Sequence, residues 1–170
     1  MENLVYAIIL LPLFGFVING LLGKHLPKMV VGALATLVVF ASFLISVNIF
    51  LGFTDHSAPI IVKAFEWFTV GGVQANFGFQ IDQLSLMMMM IITGIGSLIH
   101  LYSIGYMSHD KGFYKFFTYL NLFIFSMLLL VMGSNYLILF IGWEGVGLCS
   151  YLLIGFWYEN KEYGKAARKA

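Results

Sequence analysis

The sequence predicts an all-α integral membrane protein with five transmembrane helices and one external β-hairpin. Three observations support this prediction. Hydrophobic residues make up 61% of the chain and charged residues only 10%, which excludes an ordinary soluble domain of this length. Five apolar segments reach the length of about 20 residues that a helix needs to cross a bilayer. The connection between the second and third segments has the period-two pattern of a half-buried strand.

Short connections join the predicted spans, except for one of about 30 residues between the second and the third. The spans cover approximately residues 4–22, 29–51, 84–107, 113–132 and 135–158. The first follows Met1-Glu2-Asn3, which lacks the basic segment of a secretory signal, so we expect an uncleaved membrane helix there.

The basic residues predict how these helices are oriented. Eight of the nine lie on one side of the predicted membrane, and only Lys63 lies on the other. The eight are Lys24, Lys28, Lys111, Lys115, Lys161, Lys165, Arg168 and Lys169. Because basic loops stay in the cytoplasm, the N-terminus is expected outside and the C-terminal tail in the cytoplasm.

The connection between the second and third spans is predicted to form a β-hairpin over about residues 62–82. Apolar and polar residues alternate from Val73 to Asp82, and Lys63–Val70 is rich in aromatic and β-branched residues. Gly71 and Gly72 lie between these runs, where both can adopt the positive φ that a two-residue turn needs. The expected role of the hairpin is structural, to hold loops of its own chain or of a neighbour; a ligand-binding role is the alternative.

Glu144 is the most informative residue. It is the only acidic or basic side chain in the apolar run Tyr136–Trp157, and it lies near its centre. A carboxyl at that depth costs roughly 2.5–3.5 kcal/mol or more unless it faces protein or water, so such residues tend to face an interior and to handle protons, ions or charged ligands. Loss of hydration favours the neutral acid and a nearby cation favours the carboxylate, so Glu144 is a candidate proton-handling group. A fixed hydrogen bond between helices is the structural alternative.

The glycines beside Glu144 predict close packing. Gly145 and Cys149 form a pair of small residues four apart, so this helix should pack tightly on another. The spans offer Glu144 no lysine or arginine away from their ends. Its cationic partner should therefore come from outside these 170 residues. The charged stretch Glu159–Ala170 resembles the lead into a further element, so the chain is expected to be a fragment of a longer polypeptide.

The third span carries a second group of candidates. Thr93, Ser97 and His100 are spaced to share one helix face. Thr93 and Glu144 are expected at similar depth, roughly 14 Å from the external end at 1.5 Å per residue. We hypothesise that this stripe lines a water path from Glu144 to the cytoplasm, because an imidazole can donate and accept a proton. The alternative is that the hydroxyls bond to carbonyls of their own helix while His100 extends to the interface.

The remaining polar residues are expected to be structural. Thr118 and Asn121 should form interhelical hydrogen bonds, and Asn19 and Asn48 should lie at the membrane interface. The loop histidines His25, His56 and His109 lack metal-ligand spacing, and no phosphate-binding, haem or iron–sulfur motif is present. The chain is therefore expected to hold no metal or redox cofactor, and its near-neutral charge suggests no nucleic-acid partner.

Four stretches carry a resemblance to a known family. They are Leu11–Gly20, Phe79–Ser85, Phe116–Met127 and Gly142–Gly155. Together they resemble the subunit L family of bacterial NADH:quinone oxidoreductase (respiratory complex I), to which mitochondrial and plastid counterparts and the large Mrp-type antiporter subunit are related. The resemblance covers nearly the whole chain, and the last stretch is highly specific.

The resemblance implies that residues 1–170 are the N-terminal part of an antiporter-like, many-helix subunit of the membrane arm. Such a subunit translocates protons across the cell inner membrane, driven by NADH oxidation and quinone reduction in other subunits, which bind the NADH, flavin, iron–sulfur clusters and quinone. In that family the glutamate at the position of Glu144 modulates a lysine of a later broken helix. That helix is not among these 170 residues, so this chain alone should not pump.

The expected function is therefore proton translocation as a subunit of the oxidoreductase, with other membrane-arm subunits and the lipid bilayer as partners. Glu144 is expected to gate proton movement, with His100, Thr93 and Ser97 as candidate path residues. An Mrp-type monovalent cation/proton antiporter subunit and a non-catalytic membrane scaffold are the alternatives. A quinone-binding enzyme is disfavoured, because no cluster of convergent polar groups is evident.

Overall fold

The computed structural model describes residues 2–53, 58–71 and 73–170. The described chain forms six helices and two strands. They are, in chain order, α1 (Glu2–Leu22), α2 (Lys28–Gly52), β1 (Ile60–Val70), β2 (Val73–Ile81), α3 (Gln83–Tyr106), α4 (Phe113–Met132), α5 (Tyr136–Ile154) and α6 (Lys161–Lys169). His56 and Gly72, on which sequence expectations were placed, lie outside the described residues.

Helices α1 to α5 are 19–25 residues long and apolar enough to span a bilayer. This finding confirms the predicted fold class of five membrane helices with one hairpin. The first four helices begin and end within two residues of the predicted spans, but α5 ends at Ile154 rather than near Tyr158. The reason is that the chain turns at Gly155, and the indole Nε1 of Trp157 then donates to Asp110 Oδ2 at 2.9 Å.

Helix α4 is the centre of the bundle, because α1, α2, α3 and α5 all pack against it. Its buried side chains Ile124, Leu128 and Met132 contribute to one apolar core. Small residues allow the close approaches: a Cβ on Gly96 of α3 would lie 2.6 Å from Ile124 Cδ1. Helix α5 lies at the edge of the bundle, with few of its residues buried.

The predicted hairpin is present, and it docks onto its own chain. Strands β1 and β2 pair antiparallel, and Gly71 at the turn has a φ of +57°. Strand β2 is hydrogen-bonded to the loop between α4 and α5. Ser134 N–H donates to Gly78 O at 3.1 Å, and Asn135 Nδ2 donates to Asn76 O at 2.7 Å. The hairpin therefore holds a loop of its own chain, one of the two expected structural roles.

Asp82 joins the hairpin directly to α3. Its carboxylate accepts from Ser85 N–H at 2.8 Å, while its own N–H donates to Ser85 Oγ at 2.8 Å, so the two residues form a reciprocal capping box. The Ser85 N–H beside the carboxylate holds the pKa of Asp82 below its ordinary value. With no free linker between β2 and α3, the hairpin fixes where the third span begins.

Candidate functional site

The packing of α5 on α4 depends on three small residues. A Cβ on Gly145 would lie 2.6 Å from Ser126 Oγ, and one on Gly142 would overlap the backbone of Leu130. Cys149 is buried at the same contact, with its free thiol beside Ser126. The predicted close approach at Gly145 and Cys149 is therefore present, and Gly142 is part of it.

Glu144 lies on the other side of α5. At about 100° per residue it points roughly 160° away from Gly142 and roughly 140° away from Cys149. Its side chain is exposed, and no hydrogen bond or ion pair to it forms within the described part of the chain. The expectation that Glu144 faces packed protein is thus not met by these residues, because α5 is covered only where its small residues meet α4.

Helices α1 to α5 offer Glu144 no lysine or arginine partner. Within them lysine occurs only in the first turn of α2 and of α4, as Lys28 and Lys115, and arginine does not occur. The Lys28 Nζ instead donates to Ser108 O at 2.8 Å. No lysine or arginine of the described residues forms an ion pair with Glu144, so its open face carries no bound cation side chain.

The stripe on α3 faces into the bundle, as its spacing predicts. Thr93, Ser97 and His100 are all buried. Thr93 Oγ1 donates to Met89 O at 2.6 Å, and Ser97 Oγ donates to Gly94 O at 2.7 Å. For these two hydroxyls the structure has the self-bonded arrangement that was the alternative to a lined water path.

His100 behaves differently from the expected alternative. Its side chain is 1% exposed and does not reach an interface. Its Nδ1 lies 2.7 Å from Gly96 O and its Nε2 lies 3.0 Å from Asn121 Oδ1 of α4. Asn121 therefore forms the interhelical hydrogen bond that was predicted for it.

The predictions for Thr118 and Asn19 are wrong. Thr118 bonds to Tyr114 O of its own helix at 2.8 Å rather than across helices. Asn19 is fully buried instead of interfacial, with its Nδ2 3.4 Å from Val31 O of α2. Periodicity along one helix gives no information about which side chains of different helices meet, so the cluster of His100, Asn121 and Asn19 has no signal in the sequence.

Helix α4 separates the stripe from Glu144. Asn121 and Ile124 face α1 and α3, whereas Ser126 faces α5. Ser126 and Asn121 are five residues apart, which is roughly 140° around the helix. The structure therefore does not bring His100, Thr93 and Ser97 together with Glu144.

Two family models match the chain. Residues 67–117 match the N-terminal domain described as NADH-ubiquinone oxidoreductase (complex I), chain 5 N-terminus. Residues 133–170 match the membrane domain described as NADH:quinone oxidoreductase/Mrp antiporter. The first match includes the end of the hairpin and α3, and the second includes Glu144.

Curated relatives match along almost the whole chain. The NADH-quinone oxidoreductase subunit L of Rickettsia typhi is 44% identical over 169 residues, which are 99% of this chain. That of Campylobacter jejuni is 47% identical over 170 residues, and NADH-ubiquinone oxidoreductase chain 5 of Allomyces macrogynus is 41% identical over 166. The chain spans about a quarter of the length of these relatives, 26% to 27%.

Two solved membrane complexes share the fold. A chain of the archaeal membrane-bound sulfane sulfur reductase superposes with a TM-score of 0.83 at 17% identity, covering 99% of this chain and 33% of that one. A chain of the Mrp complex from Dietzia superposes with a TM-score of 0.70 at 24% identity, covering 88% of this chain and 16% of that one. The family model for the membrane domain also covers Mrp antiporters. The match of almost the whole chain to the curated sequences shows that this chain belongs to the subunit L family of NADH-quinone oxidoreductase.

Proposed function

We propose that the chain acts as part of a proton-translocating membrane subunit of NADH:quinone oxidoreductase. The observation that carries the proposal is the position of Glu144: a carboxyl on an open face of an apolar, membrane-spanning helix, in a segment that matches the NADH:quinone oxidoreductase/Mrp antiporter domain. A carboxyl at such a depth needs water, a cation or a proton to be stable. The open face of α5 is where the assembly would supply one.

The proposed mechanism is electrostatic. A cationic or protonatable group that approaches Glu144 favours the carboxylate, and withdrawal of that group favours the protonated acid. Glu144 would thus take up or release a proton as its neighbour changes charge or position. Redox energy would reach it through other subunits, which would bind NADH, flavin, iron–sulfur clusters and quinone, so no redox cofactor is assigned to this chain.

The same proposal includes location and orientation. The subunit would lie in the inner membrane of the cell among other membrane-arm subunits, with its N-terminus outside and its C-terminal tail in the cytoplasm. The distribution of basic residues supports this orientation, since all but Lys63 then lie on the cytoplasmic side.

The Glu144→Gln substitution in the full-length parent subunit tests the proposal. Inverted membrane vesicles should acidify more slowly on NADH addition, while the amount of assembled complex stays unchanged, because Gln keeps the size of Glu but cannot exchange a proton. Glu159→Gln, an exposed carboxyl after α5, is the matched control and should acidify normally. Normal acidification with Glu144→Gln would instead assign Glu144 a structural role and favour a scaffold.

A monovalent cation/proton antiporter is the second candidate, since the membrane-domain model that matches residues 133–170 covers both classes. Transport would then depend on a sodium or potassium gradient and would occur without NADH. Vesicles given a sodium gradient and no NADH distinguish the two functions: proton movement there, lost in Glu144→Gln, would favour the antiporter.

A further inference from the structure

A buried polar cluster joins three helices on the side of α4 away from Glu144. It consists of His100 of α3, Asn121 of α4 and Asn19 of α1, each no more than 1% exposed. Asn121 contacts α1 directly, because a Cβ on Gly15 would overlap its Nδ2. Asn19 lies one turn further along the same face of α1 as Gly15. The cluster is enclosed by the described helices alone.

One hydrogen-bond donor and one acceptor of this cluster lack partners. Asn121 Nδ2, a donor, and Asn19 Oδ1, an acceptor, are buried without a hydrogen-bond partner. Buried polar groups are nearly always paired, directly or through water. The two atoms do not bond to each other in the structure, and one bridging water could satisfy the donor on α4 and the acceptor on α1 together.

The chemistry of His100 determines which way the Asn121 amide must point. Gly96 O can only accept, so Nδ1 of His100 must donate to it over their 2.7 Å separation. In the neutral imidazole Nε2 is then an acceptor, and Asn121 must present its NH2 group. In the imidazolium Nε2 is a donor, and Asn121 must present Oδ1. Nε2 lies 3.0 Å from Oδ1 in the structure, and a turn of the amide by 180° would place Nδ2 there instead.

We propose that His100 is a buried proton-binding site whose protonation decides which end of the Asn121 amide faces His100 and which end faces Asn19. When a proton binds Nε2, the Asn121 amide turns its oxygen toward His100 and its NH2 group toward Asn19 Oδ1. When the proton leaves Nε2 for water, the amide turns back and Asn19 presents its own NH2 group. The long contact of 3.4 Å from Asn19 Nδ2 to Val31 O is weak enough to be given up.

The surrounding helices leave this site free of fixed charge. The charged residues of α1, α2 and α4 are Glu2, Lys28 and Lys115, all at helix ends, and α3 has none. The tyrosines of α1, α3 and α4 make no hydrogen bond to His100, and the ring of Phe117 lies 6.1 Å from the imidazole. The neighbours that respond to the proton are therefore the two amides and Gly96 O. The role of this site, which is to hold a proton during transport, rests on the proposed function.

Asn121→Asp in the full-length subunit tests the site. A carboxylate beside Nε2 favours the imidazolium, so His100 should keep its proton to higher pH. Acidification per NADH oxidised should fall at alkaline pH in the parent, and in the variant this fall should occur about one pH unit higher. Asn48→Asp, an exposed asparagine of α2, is the matched control and should leave the profile unchanged.

His100→Gln provides a second variant that does not depend on tolerance of Asp. Gln supplies a donor and an acceptor without binding a proton. The complex should therefore assemble, and acidification per NADH oxidised should be low at every pH, without the fall at alkaline pH. Unchanged pH profiles in both assembled variants would overturn the proposal, as would loss of assembly in His100→Gln, which would assign the cluster to helix packing. If Glu144→Gln still abolishes acidification in those cases, only the His100 site fails and the proposed function stands.

Discussion

At the scale of single residues, α5 shows how one helix serves two purposes. Gly142, Gly145 and Cys149 face α4 and allow close contact, while Glu144 points away from it. The carboxyl therefore remains available to a group beyond these five helices. Substitutions on the two faces should have separable effects, one on assembly and one on proton movement.

Gly142→Ala should reduce the amount of assembled complex. The added methyl group would overlap the Leu130 backbone, and overpacking of this kind costs typically about 1–3 kcal/mol. Complex content in native gels measures the effect. Gly105→Ala is the control, since nothing lies within 4 Å of that position, and equal loss in both variants would contradict the account.

At the scale of elements, the hairpin is tied to α3 by the Asp82–Ser85 capping box. Asp82→Ala should destabilise the start of α3 by about 0.5–2 kcal/mol, whereas Asp82→Asn should retain most of the cap. Faster amide hydrogen exchange in residues 83–86 of the Ala variant alone is the expected result. Equal protection in the parent and the Ala variant would show that docking at Asn135 suffices.

The charge of Asp82 adds a pH dependence of definite sign. Because its folded pKa lies below the ordinary value of 3.8, its contribution is complete above that pH. The contribution is lost only as the pH falls through the lowered folded pKa. The difference in exchange between the parent and Asp82→Asn should therefore not vary between neutral pH and pH 5.

The elements themselves were predictable because each depends on local information. Apolar length determines the spans, and alternation around Gly71 determines the hairpin. The contacts between elements were not predictable, since the same stripe of Thr93, Ser97 and His100 is compatible with several neighbours. The burial of Asn19 and the outward direction of Glu144 follow from which helix faces which, and that depends on packing around α4.

At the scale of the whole molecule, the predicted orientation can be measured in a Cys149→Ser background. Cysteines introduced at the exposed positions Lys63 and Lys165 should react with a membrane-impermeant maleimide from opposite sides, Lys63→Cys from outside and Lys165→Cys from the cytoplasm. The reason is the excess of basic residues on the side of Lys165. Labelling of both from the same side would contradict a five-span topology.

The arrangement around α4 gives the molecule two separate polar regions. His100, Asn121 and Asn19 form one inside the bundle, and Glu144 forms the other on its open side. Four features define this architecture: the hairpin, the capped start of α3, the central α4 and the carboxyl on α5. Among the described acidic residues, Glu144 is the one that lies in the middle of a span, and its side chain is exposed.

The measurement that tests the central claim most directly is the number of protons moved per NADH oxidised by the purified complex in liposomes, with Glu144→Gln and Glu144→Asp compared. The account predicts a lower ratio for Gln, with Asp retaining part of the transport because it keeps an exchangeable carboxyl. Equal ratios for the parent and both variants, with the complex intact, would contradict it, because Glu144 would then hold no proton that transport requires.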